Sequence, residues 1–401
     1  MIKGQSRTWE TDRSKSITFI VTKDCQLACK YCYLVGKNSK ERMSWDIAKA
    51  AIDYILGHED DFKEASVIWD FIGGEPFLEI DLIDRICDYI KTEMFKRDHH
   101  WFNSYRFSLS TNGINYDSPK VQAFIQKNIK HLSIGITIDG NELKHDLNRI
   151  YKESGKGSYK DVVRNIPLWL SQFPEAATKV TISSEDIPYI AESVLHLYDL
   201  GIHEVNINCV FEDVWKEGDD IIFENELIKL ADAIIDNNLF EDHACSFFQE
   251  HIGRHIDCEN NNSNWCGAGK MLAIDSMGNF YPCMRFAKYS LRNKSAWIIG
   301  DINSGIDSNK LRPFLALDRF SQSAKECLEC EVNGGCAWCQ GENYDAASTP
   351  TVYQRSTTIC LMHKARVRAN NYYWRKLFRK IEQRNLTYKS LSSKKASLID
   401  C

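Results

Sequence analysis

The sequence has no run near the ~18 uninterrupted apolar residues of a membrane span. Its N-terminus, MIKGQSRTWETDRSK, carries no apolar core, so no secretory signal is expected. Charge of one sign is also scarce. Lys and Arg number 50 against 55 Asp and Glu, a formal −5, too little to imply a polyanionic partner. There is no internal repeat and no low-complexity tract. These absences point away from membrane insertion, secretion and disorder, and the expected location is the cytoplasm. With 43% apolar and 26% charged residues, the composition is that of a globular chain. At roughly 150 residues per domain, such a length suggests two to three domains.

What the sequence has in excess is cysteine, 15 in all. In a reducing compartment cysteines are seldom disulfides, and clustered spacing points to metal or iron–sulfur ligation. The odd total also argues against complete internal pairing. Cys25, Cys29 and Cys32 form one cluster. Cys87, Cys209, Cys245 and Cys258 are scattered, and Cys266, Cys283, Cys327, Cys330, Cys336, Cys339, Cys360 and Cys401 follow.

The first half alternates apolar strand patterns at 16–21, 65–72, 105–110, 131–138, 179–184 and 204–210 with amphipathic helical patterns starting at Ser44, Asp81, Ser118, Tyr159 and Ile187. That alternation implies an α/β fold, a parallel sheet with helices packed outside it. Six units suit a partial barrel or an open sheet; no seventh or eighth is visible. After about residue 215 a helical segment covers 223–238, and the chain then turns Cys-, Asn- and Gly-rich. Such a stretch is expected to bury little core of its own and to be stapled by metal. Residues 361–401 carry 11 Lys and Arg against two acidic residues, and their first half looks helical. Val367, Trp374, Leu377, Phe378 and Ile381 would anchor one face of that helix, leaving Arg368, Arg375, Arg379 and Lys380 partly free to attract an acidic ligand.

The first cluster follows the first strand as Cys-x3-Cys-x2-Cys, with Tyr31 before the last cysteine. Three thiolates hold three irons of a [4Fe–4S] cluster and leave the fourth open to a small ligand. The plainer alternative is a three-Cys zinc site completed by a distant His. At strand ends further motifs follow: Gly73-Gly74-Glu75-Pro76, Ser110-Thr111-Asn112-Gly113, Thr137-Ile138-Asp139-Gly140 and His145-Asp146-x-x-Arg149. Together with the triad they resemble the radical S-adenosylmethionine (SAM) enzymes, over about residues 16–361. The resemblance implies a partial (β/α)6 barrel, with Cys25, Cys29 and Cys32 on the SAM-binding cluster. It further implies Tyr31, Gly73, Gly74, Glu75, Ser110, Asn112, Thr137, Asp139, Arg149 and Val210 around SAM. Glu75 would meet the amino group, Arg149 the carboxylate through its fork, and Val210 the adenine. The family usually has Ser where Thr137 stands. Plainer readings exist for three of them: Glu75 as a helix cap, Arg149 in a surface ion pair, Val210 as core.

Downstream, Cys327-x2-Cys330-x5-Cys336-x2-Cys339 is too tight for a zinc ribbon, which needs ~15–20 residues between its Cys pairs. With Cys266, Cys283 and Cys360 it resembles the SPASM domain, which holds two auxiliary [4Fe–4S] clusters. By that resemblance one cluster takes Cys327, Cys330, Cys336 and Cys360. The other takes Cys266, Cys283 and Cys339, with Cys258 the best fourth candidate and Cys245 a poorer one. The spacing before Cys339 is one residue shorter than the usual pattern. Three [4Fe–4S] clusters are thus implied. Cys87 and Cys209 read as buried, inert thiols. The expected division is residues 1–215 as the radical SAM barrel, 216–257 as a helical connector, 258–361 as the SPASM domain and 362–401 as a basic helix and tail.

Two enzyme readings compete. An anaerobic sulfatase-maturing enzyme has an Asp base directly after the cysteine of its Gly-x4-Cys element, but here Met284 follows Cys283. The stretches WDFIGGEPFLEIDLID and YRFSLSTNG instead resemble thioether-forming peptide maturases of the ranthipeptide and sactipeptide type acting on Cys-x-x-x repeats. These join a Cys sulfur to a carbon of another residue, often acidic, in a ribosomally made precursor. The implied partners are that peptide and a reductant such as flavodoxin or ferredoxin. A separate leader-binding protein is a further expectation, since only 24 residues precede Cys25. A third reading, an iron–sulfur redox sensor binding nucleic acid through the basic tail, leaves the SAM motifs unexplained; neither membrane nor nucleic acid is an expected partner.

Overall fold

The computed structural model describes residues 14–35, 37, 39–250, 252–254, 266–336 and 338–383. Cys258 and Cys401 lie outside the described residues. Six strands run parallel in chain order: β1 Ser14–Thr22, β2 Ser66–Gly73, β3 Tyr105–Thr111, β4 Leu132–Ile136, β5 Thr178–Ile182 and β6 Glu204–Cys209. β1 to β4 share one sheet and β5 to β6 another. A single parallel bridge, Thr137 to Lys179, links the two.

Helices cover the outside, as the alternation predicts. α1 Trp45–Gly57 starts where Ser44 accepts from the Ile47 amide, and its buried residues, Ala48, Ala51, Ile52, Ile55 and Leu56, recur at helical steps. α2 Ile80–Lys96, α3 Pro119–Asn128 and α4 Glu142–Asn148 follow. The helix expected from Tyr159 breaks into α5 Tyr159–Val163 and α6 Ile166–Gln172, because Pro167 fits only a helix's first turn. α7 Ile190–Asp199 and α8 Asp219–Asp236 complete the layer. Beneath them Phe19, Trp69, Phe71, Trp101 and Phe107 are fully buried in one aromatic core.

Two features depart from the sequence reading. A seventh strand exists, β7 Ala244–Cys245, parallel to β6 but too short for any periodicity to reveal. The Cys-rich stretch is also no coreless appendage. Its β8 Leu272–Ile274 pairs in parallel with β1, and β9 Asn279–Tyr281, β10 Gly300–Asp301 and β11 Gly305–Ile306 extend that sheet antiparallel. Phe280, Phe286 and Phe314 are buried in the core shared with β1. Then come the short helices α9 Ser308–Leu315, α10 Arg319–Gln322, α11 Lys325–Leu328 and α12 Gln340–Ala346.

The last helix, α13 Cys360–Gln383, lies on α8. Val367, Leu377 and Ile381 are buried as expected, whereas Phe378 is 36% exposed. Arg368 and Lys380 are not free. Arg368 pairs with Glu224 at 2.6 Å, and Lys380 donates to the Ile235 carbonyl. The acidic face of α8 takes them up, leaving Arg375 and Arg379 exposed. No helix among the described residues is long and apolar enough to cross a membrane.

Candidate active site

The loop after β1 is fixed from two sides. Its amides at Ala28 and Lys30 donate to the carbonyls of Ile150 (2.7 Å) and Asn148 (3.0 Å), and Lys152 pairs with Asp24 at 2.6 Å. On the other side, the amides of Gly74 and Glu75 donate to the carbonyls of Thr22 (2.9 Å) and Asp24 (2.8 Å). A Cβ at Gly73 would sit 2.2 Å from the Thr22 oxygen, and one at Gly74 2.1 Å from the Asp24 oxygen. The two glycines are therefore required by the close approach of the cysteine loop itself, a reason that their sequence context does not reveal.

The C-terminal ends of the strands open into one cavity of about 450 Å³, a size that suits a cofactor. Cys25, Cys29, Tyr31 and Cys32 line it from the loop. Gly73, Gly74, Glu75, Ser110, Asn112, Thr137 and Val210 line it from the strand ends, and Arg149 from the C-terminal end of α4. Only Asp139 among the expected SAM-site residues is absent from the wall; it accepts a hydrogen bond from Tyr31 behind it. Cys209, expected to be inert core, also reaches this cavity.

Glu75 is 1% exposed. It accepts from the Phe77 amide, as a helix cap would, but also from the Thr111 hydroxyl and the Asn112 amide at 2.7 Å each. Burial raises its pKa against those bonds. Arg149 is buried, which removes the surface ion-pair reading. Its Nη1 donates to the Tyr31 hydroxyl at 2.8 Å, and its buried Nε has no partner among the described residues. That orphan donor on the wall fits an anionic ligand group.

Arg149 is held by α4. Lys144 and Asp186, both fully buried, pair at 2.8 Å, and Asn148 donates to the same carboxylate at 3.1 Å. His145 accepts from the Asp139 amide through Nδ1 and meets the Ser158 hydroxyl through Nε2, while that hydroxyl donates to the Arg149 carbonyl. Burial, then the Arg149 charge, pushes the His145 pKa down to about 3, so it stays neutral. Burial opposes ionisation of Asp139 too, yet Lys144 and Arg149 beside it hold its carboxyl below the ordinary range.

Burial, then the Glu75 charge, pushes the Cys25 thiol up to about 12, and burial raises Cys29 as well. Without a metal these thiols stay protonated; coordination would ionise them. Further cysteines gather in two groups. Burial raises Cys283, and Cys339 and Cys266 beside it raise it more. Burial likewise raises Cys336 next to Cys360, Cys327 and Cys330, while Arg355 donates to its sulfur at 2.9 Å. Cys339 also lines the central cavity. Cys245 is buried, with the Phe247 amide and the Arg366 charge rather than other cysteines acting on its thiol.

The sequence reading missed several charged residues of this region. Arg285 lies between Glu212 (2.8 Å) and Glu342 (3.2 Å), over the Tyr33 ring. Lys179 lines the cavity from β5, and Asp70 sits on β2 between Thr18 and Ser108. A lone charge within an apolar strand was the available signal for Lys179 and Asp70. Loop residue Glu212 offered none. Met284 does line the cavity, and its sulfur accepts from the Tyr33 hydroxyl at 3.2 Å.

Comparison with known proteins agrees with this geometry. The family model for the radical SAM superfamily matches residues 19–183. An uncharacterized protein of Methanocaldococcus jannaschii is 31% identical over 201 residues, 50% of this chain and 64% of that one. The radical SAM cyclopropyl synthase TigE of Paramaledivibacter caminithermalis is 21% identical over 352 residues, 81% of this chain and 67% of that one. The antilisterial bacteriocin subtilosin biosynthesis protein AlbA of Bacillus subtilis is 24% identical over 330 residues, 80% of this chain and 66% of that one. The chain thus spans about two thirds of the length of these relatives.

Among solved structures, native anSMEcpe with bound AdoMet and Kp18Cys peptide superposes with a TM-score of 0.61 at 17% identity, covering 92% of this chain and 98% of that one. Streptococcus suis SuiB bound to precursor peptide SuiA gives 0.57 at 15% identity, covering 86% and 75%. The likeness to both is one of fold. The cysteine loop and the strand-end cavity agree with the radical SAM family model matched over residues 19–183, and that family implies SAM and a [4Fe–4S] cluster.

Proposed function

We propose that this protein is a peptide maturase that forms thioether crosslinks between a Cys sulfur and a side-chain carbon of another residue in a ribosomally made precursor. The observation that carries this reading is the position of Cys339. It belongs to the group with Cys266 and Cys283, yet it faces the same cavity as Cys25, Cys29 and Cys32. A substrate in that cavity would lie between a radical-generating site and a second metal-binding thiol group, the arrangement that sulfur–carbon coupling needs. TigE is named as a cyclopropyl synthase, AlbA for biosynthesis of the bacteriocin subtilosin, and SuiB is bound to a precursor peptide.

In this proposal Cys25, Cys29 and Cys32 hold the SAM-binding cluster. Arg149 offers its fork to the SAM carboxylate, Glu75 takes the amino group, and Val210 meets the adenine. With SAM and the reduced cluster bound, the pair supplies a 5′-deoxyadenosyl radical that removes hydrogen from an unactivated carbon. The chain's own part is placement. Tyr31 and Asp139 orient Arg149, and no general base is needed for the abstraction. The strand order supports a partial barrel over 1–215, and the two cysteine groups support a SPASM domain with two auxiliary clusters over 258–361. The connector 216–257 and the basic segment 362–401 complete the division, and a flavodoxin or ferredoxin would supply the electron. The sulfatase-maturing alternative requires a base where Met284 stands.

Anaerobic co-expression with the neighbouring small Cys-rich peptide, followed by mass spectrometry before and after iodoacetamide, tests the reading. Loss of two hydrogens per crosslink, with the cysteine no longer alkylated, is the expected result. A hydrazide-reactive aldehyde would mean formylglycine formation, and hydrogen loss with the cysteine still alkylated would mean carbon–carbon bonding. Either of these would overturn the proposal.

A further inference from the structure

The two downstream cysteine groups differ in the charge beside them. Arg285 acts on Cys283 and Cys339, but its Nη2 is held between the carboxylates of Glu212 and Glu342, so two negative charges bracket one positive. Arg355 stands beside the other group and, among the described residues, pairs with no carboxylate. Its Nη2 donates to the Cys336 sulfur at 2.9 Å and its Nη1 to the Ser323 hydroxyl at 3.4 Å. The guanidinium carbon lies 4.2 Å from the centre of the Trp338 ring, close enough for a cation–π contact. Those three contacts hold the side chain against the sulfur. Burial raises the Cys336 thiol, and the Arg355 charge opposes that rise. The sulfurs of Cys266 and Cys283 accept instead from neutral backbone amides, those of Ala268 and Gln340 in one case and of Arg285 in the other.

We propose that Arg355 raises the reduction potential of the [4Fe–4S] cluster held by Cys327, Cys330, Cys336 and Cys360, through its charged bond to the Cys336 sulfur. The inference rests on the auxiliary-cluster part of the reading above. Thiolate ligands make such a cluster an anion, and reduction adds a further negative charge. A fixed cation therefore favours the reduced form over the oxidised one. A hydrogen bond to a ligand sulfur acts in the same direction. Because the donor is ionised, that bond is roughly twice as strong as one from a neutral amide. A guanidinium suits the task because it keeps its charge at any working pH, and here no carboxylate cancels it. Arg285 cannot do the same for the other group, since Glu212 and Glu342 outweigh its charge. Arg355 is a positioning residue that acts through Cys336, so its signature is a potential and not a rate.

The test uses the full chain, reconstituted with iron and sulfide without oxygen, as wild type, Arg355→Gln and Arg355→Lys. Iron is counted, and the midpoint potential of each cluster is followed by electron paramagnetic resonance during a reductive titration. The SAM-binding cluster is the one whose signal changes when SAM is added. Arg355→Gln should hold as much iron as the wild type. At a fixed potential, the reduced-to-oxidised ratio of one auxiliary cluster should fall about tenfold in that variant, or 59 mV for a one-electron couple, with the other clusters unmoved. Arg355→Lys keeps the charge and should recover part of the shift. Unmoved midpoints in Arg355→Gln overturn the proposal. So does an equal fall in both variants, which would give the effect to packing on Trp338. So does loss of a cluster from both, which would make Arg355 structural. About four irons per wild-type chain would remove the auxiliary clusters themselves, and the proposal with them. A shifted midpoint in a protein whose co-expressed peptide shows no crosslink would refute the thioether reaction and leave Arg355 in its role.

Discussion

Cys25, Cys29 and Cys32 sit on a loop tied by backbone hydrogen bonds to residues about a third of the chain away, Asn148 and Ile150, and to the Gly74–Glu75 turn. Cys327, Cys330 and Cys336 sit instead on turns closed by local bonds, such as Cys327 to Ala324 and Cys336 to Asn333. The first group is held by the fold whether or not metal is present. The second is held by short helices that would not persist alone, so metal there would do structural work. On the proposed reading one chain would combine a metal site built for chemistry with one that helps to build the protein.

Exchanging the two groups for Ala sharpens that contrast most. Replacing Cys25, Cys29 and Cys32 should abolish SAM cleavage and remove about a third of the iron of a three-cluster protein, while protease resistance of residues 14–210 persists. Replacing Cys327, Cys330, Cys336 and Cys360 should open residues 319–360 to limited proteolysis. If the first variant unfolds and the second does not, the comparison is reversed.

The next effect probes what holds the mouth of the sheet. Lys144→Met leaves Asp186 buried without its partner and should cost ~3–5 kcal/mol in urea unfolding. A smaller loss would mean that the pair adds little to the rigidity of the first region. Arg149→Ala should weaken SAM binding by ~1.5–3 kcal/mol in an anaerobic titration; unchanged affinity would detach Arg149 from SAM.

Acid should act on the same region. His145 has a folded pKa of about 3 against 6.5 when unfolded. The unfolded chain therefore binds the extra proton first as pH falls. The stability tied to neutral His145 is fully present above 6.5 and is lost between there and about 3. Relative to His145→Gln, the wild type should lose roughly 2 kcal/mol between pH 7 and pH 5 in urea unfolding. A parallel course for the two proteins would remove His145 from this role.

The smallest effect lies in the last helix. Arg368, Lys376 and Lys380 are engaged on α8, but Arg375 and Arg379 remain exposed. Reversing both charges should change stability by under about 0.5 kcal/mol. It should raise the KM for an acidic peptide at low salt and not at high salt, because exposed attraction is screened. Equal KM values at low salt would reduce the helix to scaffold.

Much of this was legible in the sequence for a physical reason. The six strands, α1 and the cysteine loop announce themselves through neighbouring residues: apolar alternation, Ser44 ahead of a helical pattern, and cysteines with three and then two residues between them. The cavity-lining motifs, apart from the His145–Arg149 segment on α4, were legible because each ends a strand, and parallel strands bring their ends together. β8 was not, since three residues carry no period and its partner β1 lies some 250 positions earlier. The reason for Gly73 and Gly74 was hidden for the same cause, a carbonyl about fifty residues away.

The sequence by itself therefore determined the order of the elements and the chemistry available at their ends, because those depend on contiguous residues. Only the tertiary structure decided which charges are paired. Arg285 finds Glu212 across 73 positions and Arg368 finds Glu224 across 144. Pairing depends on distance in space, which no local pattern encodes.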